Sequence, residues 1–252
     1  MEWTDEGVLL SMRPQGETSA LIEVLTAEHG RHAGVVRGGA SSRMAASLQP
    51  GTQVRLVWRA RLEDHLGNFT VEPVRSRAGL MADRLSLAGL GAVTALLVLS
   101  LPEREAHARL WRATPALLDR MMAGPDWGAD YLAWELVLLE ELGFGLDLGH
   151  CAVTGTKESL AFVSPRTGRA ISRAAAGDWA SRLLPLPAIL GGTGTCGPEG
   201  PGCGPALDLA QNLAQGLALT AHFLARELGP RLQGRPLPDA RRRLVEGLTR
   251  SG

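Results

Sequence analysis

Short runs in which apolar positions alternate with polar ones dominate the first 76 residues. Gly7 to Met12, Ala20 to Thr26, Arg31 to Arg37, Gln53 to Ala60 and Asn68 to Val74 are short and rich in β-branched or aliphatic residues. Turn residues separate them: Pro14, Gly16, the Glu28-His29-Gly30 run, and His65-Leu66-Gly67. This spacing predicts five β-strands. In the fourth, Val54, Leu56 and Trp58 fall on one face, while Arg55 and Arg59 share the other with Gln53, so the pleat separates a core from a cationic surface. Five short strands with no long helix suggest a closed or nearly closed barrel of the oligonucleotide-binding type, with an SH3-like barrel as the alternative.

From Arg77 to about Gly145 the period becomes helical. Leu85 to Leu99, Arg104 to Met122 and Tyr131 to Leu142 read as three helices broken at Pro102 and Pro125 and stopped by Gly143 and Gly145. Glu103 and Glu105 would then lie in a first turn, where the helix dipole favours acids. Leu160 to Ile171 reads as a hairpin turning at Pro165 to Gly168, and a short helix follows around Ala174 to Leu184. Gly191 to Pro205 is too rich in glycine and proline to fold on its side chains and is expected to be a mobile loop. Two terminal helices, Leu207 to Leu228 and Pro238 to Thr249, flank a break at Gly229-Pro230 and Pro236. The predicted class is α+β, with residues 1–78 as the barrel domain and 79–252 as a mainly helical domain interrupted at about 150–205.

Charge sharpens this picture. The 26 basic and 26 acidic residues cancel overall, yet from Arg31 to Arg61 there are six arginines (31, 37, 43, 55, 59 and 61) and no acid. Between Leu80 and His150, ten acids face five arginines, and the last 27 residues carry seven arginines against three acids. Basic ends around an acidic middle point to a polyanion partner. Arg55 and Arg59 on one strand face, with the Arg37-Gly-Gly-Ala-Ser-Ser-Arg43 linker beside them, could track a phosphate backbone. Three successive arginines, Arg241 to Arg243, span most of a helix circumference, so at least one should turn inward and pair with an acid.

No phosphate-binding loop, dinucleotide fingerprint, His-Glu-x-x-His or nucleophile elbow occurs, so no enzymatic activity is expected. Cys151, Cys196 and Cys203 fall short of the four soft ligands of structural zinc, since Thr154 stands where a Cys-x-x-Cys knuckle would place its second thiolate. A three-cysteine site completed by His150 is the alternative; no cofactor is expected. The acidic start Met-Glu-Trp-Thr-Asp-Glu is unlike a secretory leader, and no membrane-spanning apolar run is present, so a cytoplasmic location is expected.

The order of several segments resembles a known family. Thr26-Ala-Glu-His-Gly30, Gly34-Val-Val-Arg-Gly-Gly-Ala40 and Leu48-Gln-Pro-Gly51 come first. Leu142-Gly-Phe-Gly-Leu-Asp-Leu148 then leads into Cys151-Ala-Val-Thr-Gly155. Val163-Ser-Pro-Arg-Thr-Gly-Arg169, Leu183-Leu-Pro-Leu-Pro187 and Leu237-Pro-Asp-Ala-Arg-Arg-Arg-Leu244 follow. In order and spacing this is similar to the bacterial RecO recombination-mediator family over nearly the whole chain.

The resemblance implies an N-terminal OB-fold, a helical domain and a zinc-ribbon-like β insertion that holds metal in some members, with Cys151 in the first knuckle position and Thr154 departing from the pattern. It implies binding of single- and double-stranded DNA, strand annealing, and action with RecR and RecF to load RecA onto strands coated by single-stranded-DNA-binding protein (SSB) at the nucleoid. It places the DNA surface on Arg31, Arg37, Arg43, Arg55, Arg59 and Arg61. It also implies a site for the acidic SSB tail in the helical domain, for which Arg109, Arg112 and Arg120, with Leu110, Trp111 and Leu117 near them, are the candidates. The competing reading is a non-enzymatic adaptor whose basic barrel binds an acidic protein.

Overall fold

The computed structural model describes residues 1–193 and 209–250. Contacts divide the chain into two compact units, Met1–Trp127 and Gly128–Gly252. The first contains β1 (Glu2–Gln15), β2 (Ser19–Thr26), β3 (Arg31–Val36), α1 (Ser42–Ser47), β4 (Gln53–Arg59), β5 (Asn68–Arg75), a 3-10 turn at Ala78–Met81, α2 (Arg84–Ser100) and α3 (Ala108–Ala123). The two long helices after the barrel therefore belong to the barrel's own compact unit.

The strands close in the order β1-β2-β3-β5-β4, and β4 returns to β1. One long strand makes the closure. Glu2–Val8 pairs with β4, while Gly7–Gln15 pairs with β2. The register slips between Leu9 and Ser11, a bulge of the kind that bends a strand and increases its twist. It coincides with a break in alternation, because Gly7 to Leu10 are all buried. β1 begins five residues before the predicted Gly7, since Glu2 to Glu6 are held by β4 rather than by an apolar pattern of their own. α1 starts at the end of the Arg37–Arg43 linker, in a stretch before Gln53 where the sequence pattern predicts no element.

Leu9, Ile22, Val24, Val36, Val54, Leu56, Trp58 and Phe69 fill the barrel. The Trp58 indole N–H donates to the Leu66 carbonyl at 3.2 Å. Gly67 closes that turn at φ +68°, where a Cβ would stand 2.3 Å from the same nitrogen; glycine satisfies both the left-handed backbone and the close approach. His32 lies edge-on to Trp3, Trp58 and Phe69, with centroids 5.2, 5.1 and 5.9 Å away. Neither of its ring nitrogens has a hydrogen-bond partner among the described residues. Burial, then the charges of Arg104 and His29, push its pKa down to about 4.

Sequence periodicity predicts a helix from Arg104, but α3 starts at Ala108. The Arg104 N–H donates to the Arg31 carbonyl at 2.8 Å, and Glu103 bridges Arg31 alongside β3. Backbone pairing with the barrel at Glu103 and a left-handed turn at Arg104 (φ +65°) keep this segment out of a helix, so Glu103 and Glu105 do not sit in a helical first turn. On α3, Asp119 accepts from Arg75 at 2.6 Å and from Arg77 at 2.7 Å. Arg77 is buried and also donates to the Gly51 carbonyl at 2.9 Å, fixing α3 to the barrel.

The second unit contains α4 (Gly128–Glu141), β6 (Leu160–Val163), β7 (Ala170–Ser172), α5 (Arg173–Ala176), 3-10 turns at Gly177–Arg182 and Ala188–Leu190, β8 (Leu184–Pro185), α6 (Leu209–Glu227), α7 (Gly229–Leu232) and α8 (Asp239–Arg250). The expected hairpin is present as β6 and β7, and β8 adds a third strand in the order β7-β6-β8. A single helix expected over Ala174–Leu184 is replaced by α5, the 3-10 turn and the start of β8. Gly229-Pro230, expected to break the chain, opens α7, since proline is tolerated in a first turn. Most of the expected Gly191–Pro205 loop lies outside the described residues. No helix among the described residues is long and apolar enough to cross a membrane.

Glu135 of α4 is fully buried and accepts from Arg241 of α8 at 2.7 and 2.8 Å and from the Thr220 hydroxyl of α6 at 2.5 Å. Arg241 also donates to the Leu217 carbonyl at 2.8 Å. The Arg241–Arg243 run therefore does turn one guanidinium inward onto an acid. Glu135→Ala strands that guanidinium without a counterion and should destabilise the second unit by about 3–5 kcal/mol in chemical denaturation.

His32 gives a second expectation. Its folded pKa lies below the unfolded value, so the unfolded chain takes up the proton first, and stability falls as pH drops from about 6.5 towards 4. Between pH 7 and pH 5 the loss should be about 2 kcal/mol. His32→Leu, measured by denaturant unfolding at the two pH values, should remove most of it.

Candidate nucleic-acid interface

The register of the barrel brings parts of the acid-free window together. Val35 at the end of β3 pairs with Asn68 of β5, and Asn68 pairs with Arg59 of β4. Arg37, just past β3, and Arg59 therefore stand at the same end of the barrel. They flank a groove of about 400 Å³ lined by Val36, Arg37, Met44, Arg59, Asn68, Phe69, Thr70 and Val71. Arg37 and Arg61 are exposed, and neither pairs with a carboxylate among the described residues. A groove with cations on its rim above half-buried Met44 and Val71 can hold a sugar–phosphate backbone by charge.

Strand pairing also shows why an acid-free stretch of sequence is not an acid-free surface. Arg59 pairs with Glu2 at 2.8 Å, which draws the Glu2 carboxyl below its usual range. Arg55 lies 3.9 Å from Glu6 and 3.5 Å from Glu72. All three pairs are exposed and worth little in solvent, so the two arginines can be shared with a phosphate.

Arg31 is different. Its side chain is 14% exposed, 2.6 Å from Glu23 and 3.5 Å from Glu103, and it donates to the Leu101 carbonyl at 3.0 Å. It ties the Leu101–His107 segment to β3 and does not belong to the open cationic surface with Arg37, Arg55, Arg59 and Arg61. The Arg43 side chain lies outside the described residues. Sequence reasoning passed over Arg13, exposed on the β1–β2 hairpin, because Glu17 and Glu23 obscure it in any charge window.

Arg109, Arg112 and Arg120 are exposed along α3. Leu110 and Leu117 are buried in the core, so they cannot line an open groove beside those arginines, and only half-buried Trp111 remains available there. The helix thus presents cations without the expected apolar floor.

Cys151 is buried, and its sulfur accepts from the Ser172 backbone N–H at 3.2 Å. Burial pushes the thiol up, but hydrogen bonds from Ser172 and Thr154 outweigh it and bring it down to about 6. Among the described residues no three His, Cys, Asp or Glu side chains come together to hold a metal ion. Cys196 and Cys203 lie outside the described residues.

Two family descriptions match the chain: Recombination protein O N terminal over residues 1–77 and Recombination protein O C terminal over residues 81–236. A DNA repair protein RecO from Cereibacter sphaeroides is 59% identical over 251 residues, covering 100% of both chains. The DNA repair protein RecO of Roseobacter denitrificans is 55% identical over 99% of both chains. That of Paracoccus denitrificans is 53% identical over 100% of this chain and 98% of its own. With both halves matched and these identities spanning its full length, the chain belongs to the RecO family of DNA repair proteins.

Proposed function

We propose that the chain is a non-enzymatic DNA-binding mediator of recombinational repair whose barrel is of the oligonucleotide-binding type. It binds single- and double-stranded DNA in the cytoplasm, at the nucleoid, anneals complementary strands, and acts with RecR and RecF to load RecA onto strands coated by SSB. The observation that carries this reading is the Arg37–Arg59 groove, whose cations face solvent above an apolar floor at the end of a closed five-stranded barrel.

The chemistry it supplies is electrostatic. Two DNA strands repel through their phosphates, and arginines that replace condensed counterions lower the cost of bringing them together. Guanidinium groups suit this task because they donate in a planar fork to phosphate oxygens and stack on bases. Arg109, Arg112 and Arg120 remain the cations proposed to meet the acidic tail of SSB, through charge rather than through an apolar groove on α3.

Fluorescence anisotropy of a labelled single-stranded oligonucleotide across a salt titration tests the reading. The protein should show a steep fall of affinity with salt, and Arg37→Glu, Arg59→Glu, Arg61→Glu together should flatten the log–log slope by about 2. An unchanged slope in the variant would move the contact off this end of the barrel. Absence of binding by the parent protein at low salt would remove DNA as a direct ligand and favour an acidic protein partner.

A further inference from the structure

Trp179 of the second unit is 63% exposed, an unusual position for the largest apolar side chain. It lies in the 3-10 turn Gly177–Arg182, and the Arg182 guanidinium stands 5.1 Å from its ring centroid. This cation–π contact holds the indole in place at the surface instead of burying it.

The topology gathers more cations at the same end of the small sheet. Val163 of β6 pairs with Ala170 of β7 and with Leu184 of β8. Arg182, two residues before Leu184, therefore lies beside the turn that follows Val163, as does Arg169, the residue before Ala170. That turn carries exposed Arg166 at its tip. Arg226 of α6 reaches the same turn and donates to the carbonyls of Pro165 at 2.5 Å and Arg166 at 3.0 Å. Of these four arginines, Arg169 pairs with Asp147 and Arg226 with Glu227, both at exposed positions on the arginine side. Residues 148–193 hold five basic and two acidic side chains, a net charge of +3.

We propose that this turn end is a second single-stranded DNA contact, in which a base stacks on Trp179 and flanking phosphates meet Arg166, Arg169, Arg182 and Arg226. The proposal rests on the DNA-binding reading above and deepens it. An open indole beside several guanidinium groups matches a polyanion that carries a flat ring at every residue. A duplex presents its phosphates but keeps its bases stacked inside, so the indole distinguishes single strands from double.

The test compares the full chain with Trp179→Ala and Trp179→Phe on an oligo-dT and on a duplex of the same length, by anisotropy at fixed salt. The side chain is exposed, so both variants keep the core intact. Trp179→Ala should weaken oligo-dT binding about ten-fold, Trp179→Phe should recover most of it, and duplex affinity should not change. Unchanged oligo-dT affinity in Trp179→Ala, while the barrel variant still loses affinity, would overturn this contact and leave the barrel reading standing. Equal losses on oligo-dT and duplex would also overturn it, because base stacking would not be the cause. Loss of binding to an acidic peptide alone would assign the patch to a protein tail instead. Absence of any DNA binding by the parent chain would end both readings together.

Discussion

The first unit depends on one strand serving two partners. β1 hydrogen-bonds to β4 along its first half and to β2 along its second, and the bulge at Leu9 to Ser11 lets it turn from one to the other. Without that turn the five strands would form an open sheet with β4 as an exposed edge. With it, Trp58 and Phe69 point into a closed interior, and Arg59, outward on β4, stands at one end of the barrel. The groove between Arg37 and Arg59 follows from the strand order, which places the end of β3 next to β5 and β5 next to β4.

Much of this was legible in the sequence because a half-buried strand writes its burial as alternation. Val54, Leu56 and Trp58 are buried and Arg55 and Arg59 exposed, as the pattern over Gln53 to Ala60 required. Long helices were legible for the same reason: α2, α4, α6 and α8 follow the periodic stretches, with ends displaced by a few residues at most. The inward turn of one member of Arg241–Arg243 could be argued from helical geometry alone, although nothing local identified Glu135 as its partner.

What escaped the sequence was set by contacts distant along the chain. Glu103 to Ala106 has helix-compatible residues, yet pairing of Glu103 with Arg31 and a left-handed turn at Arg104 keep it out of a helix. The acid-free window appeared uniformly cationic, but Glu2, Glu6, Glu23 and Glu72 arrive from neighbouring strands and divide its arginines into an anchored Arg31, paired Arg55 and Arg59, and open Arg37 and Arg61. Cross-strand pairing decides this division, and a count along the chain cannot register it. The cationic turn beside Trp179 was hidden likewise, since its arginines come from β6–β7, the 3-10 turn and α6.

The ring of strands is not equally strong all the way round. β1 meets β2 and β4 through long antiparallel ladders, whereas β3 meets β5 in parallel through the single residue pair Val35 and Asn68. Backbone hydrogen bonds, each worth about 1 kcal/mol net, therefore contribute less at this seam than at any other, and the groove lies beside it. Along that seam Phe69 of β5 packs against Gly34 and the His32 ring of β3, so interlocking side chains rather than a backbone ladder hold the ring shut there.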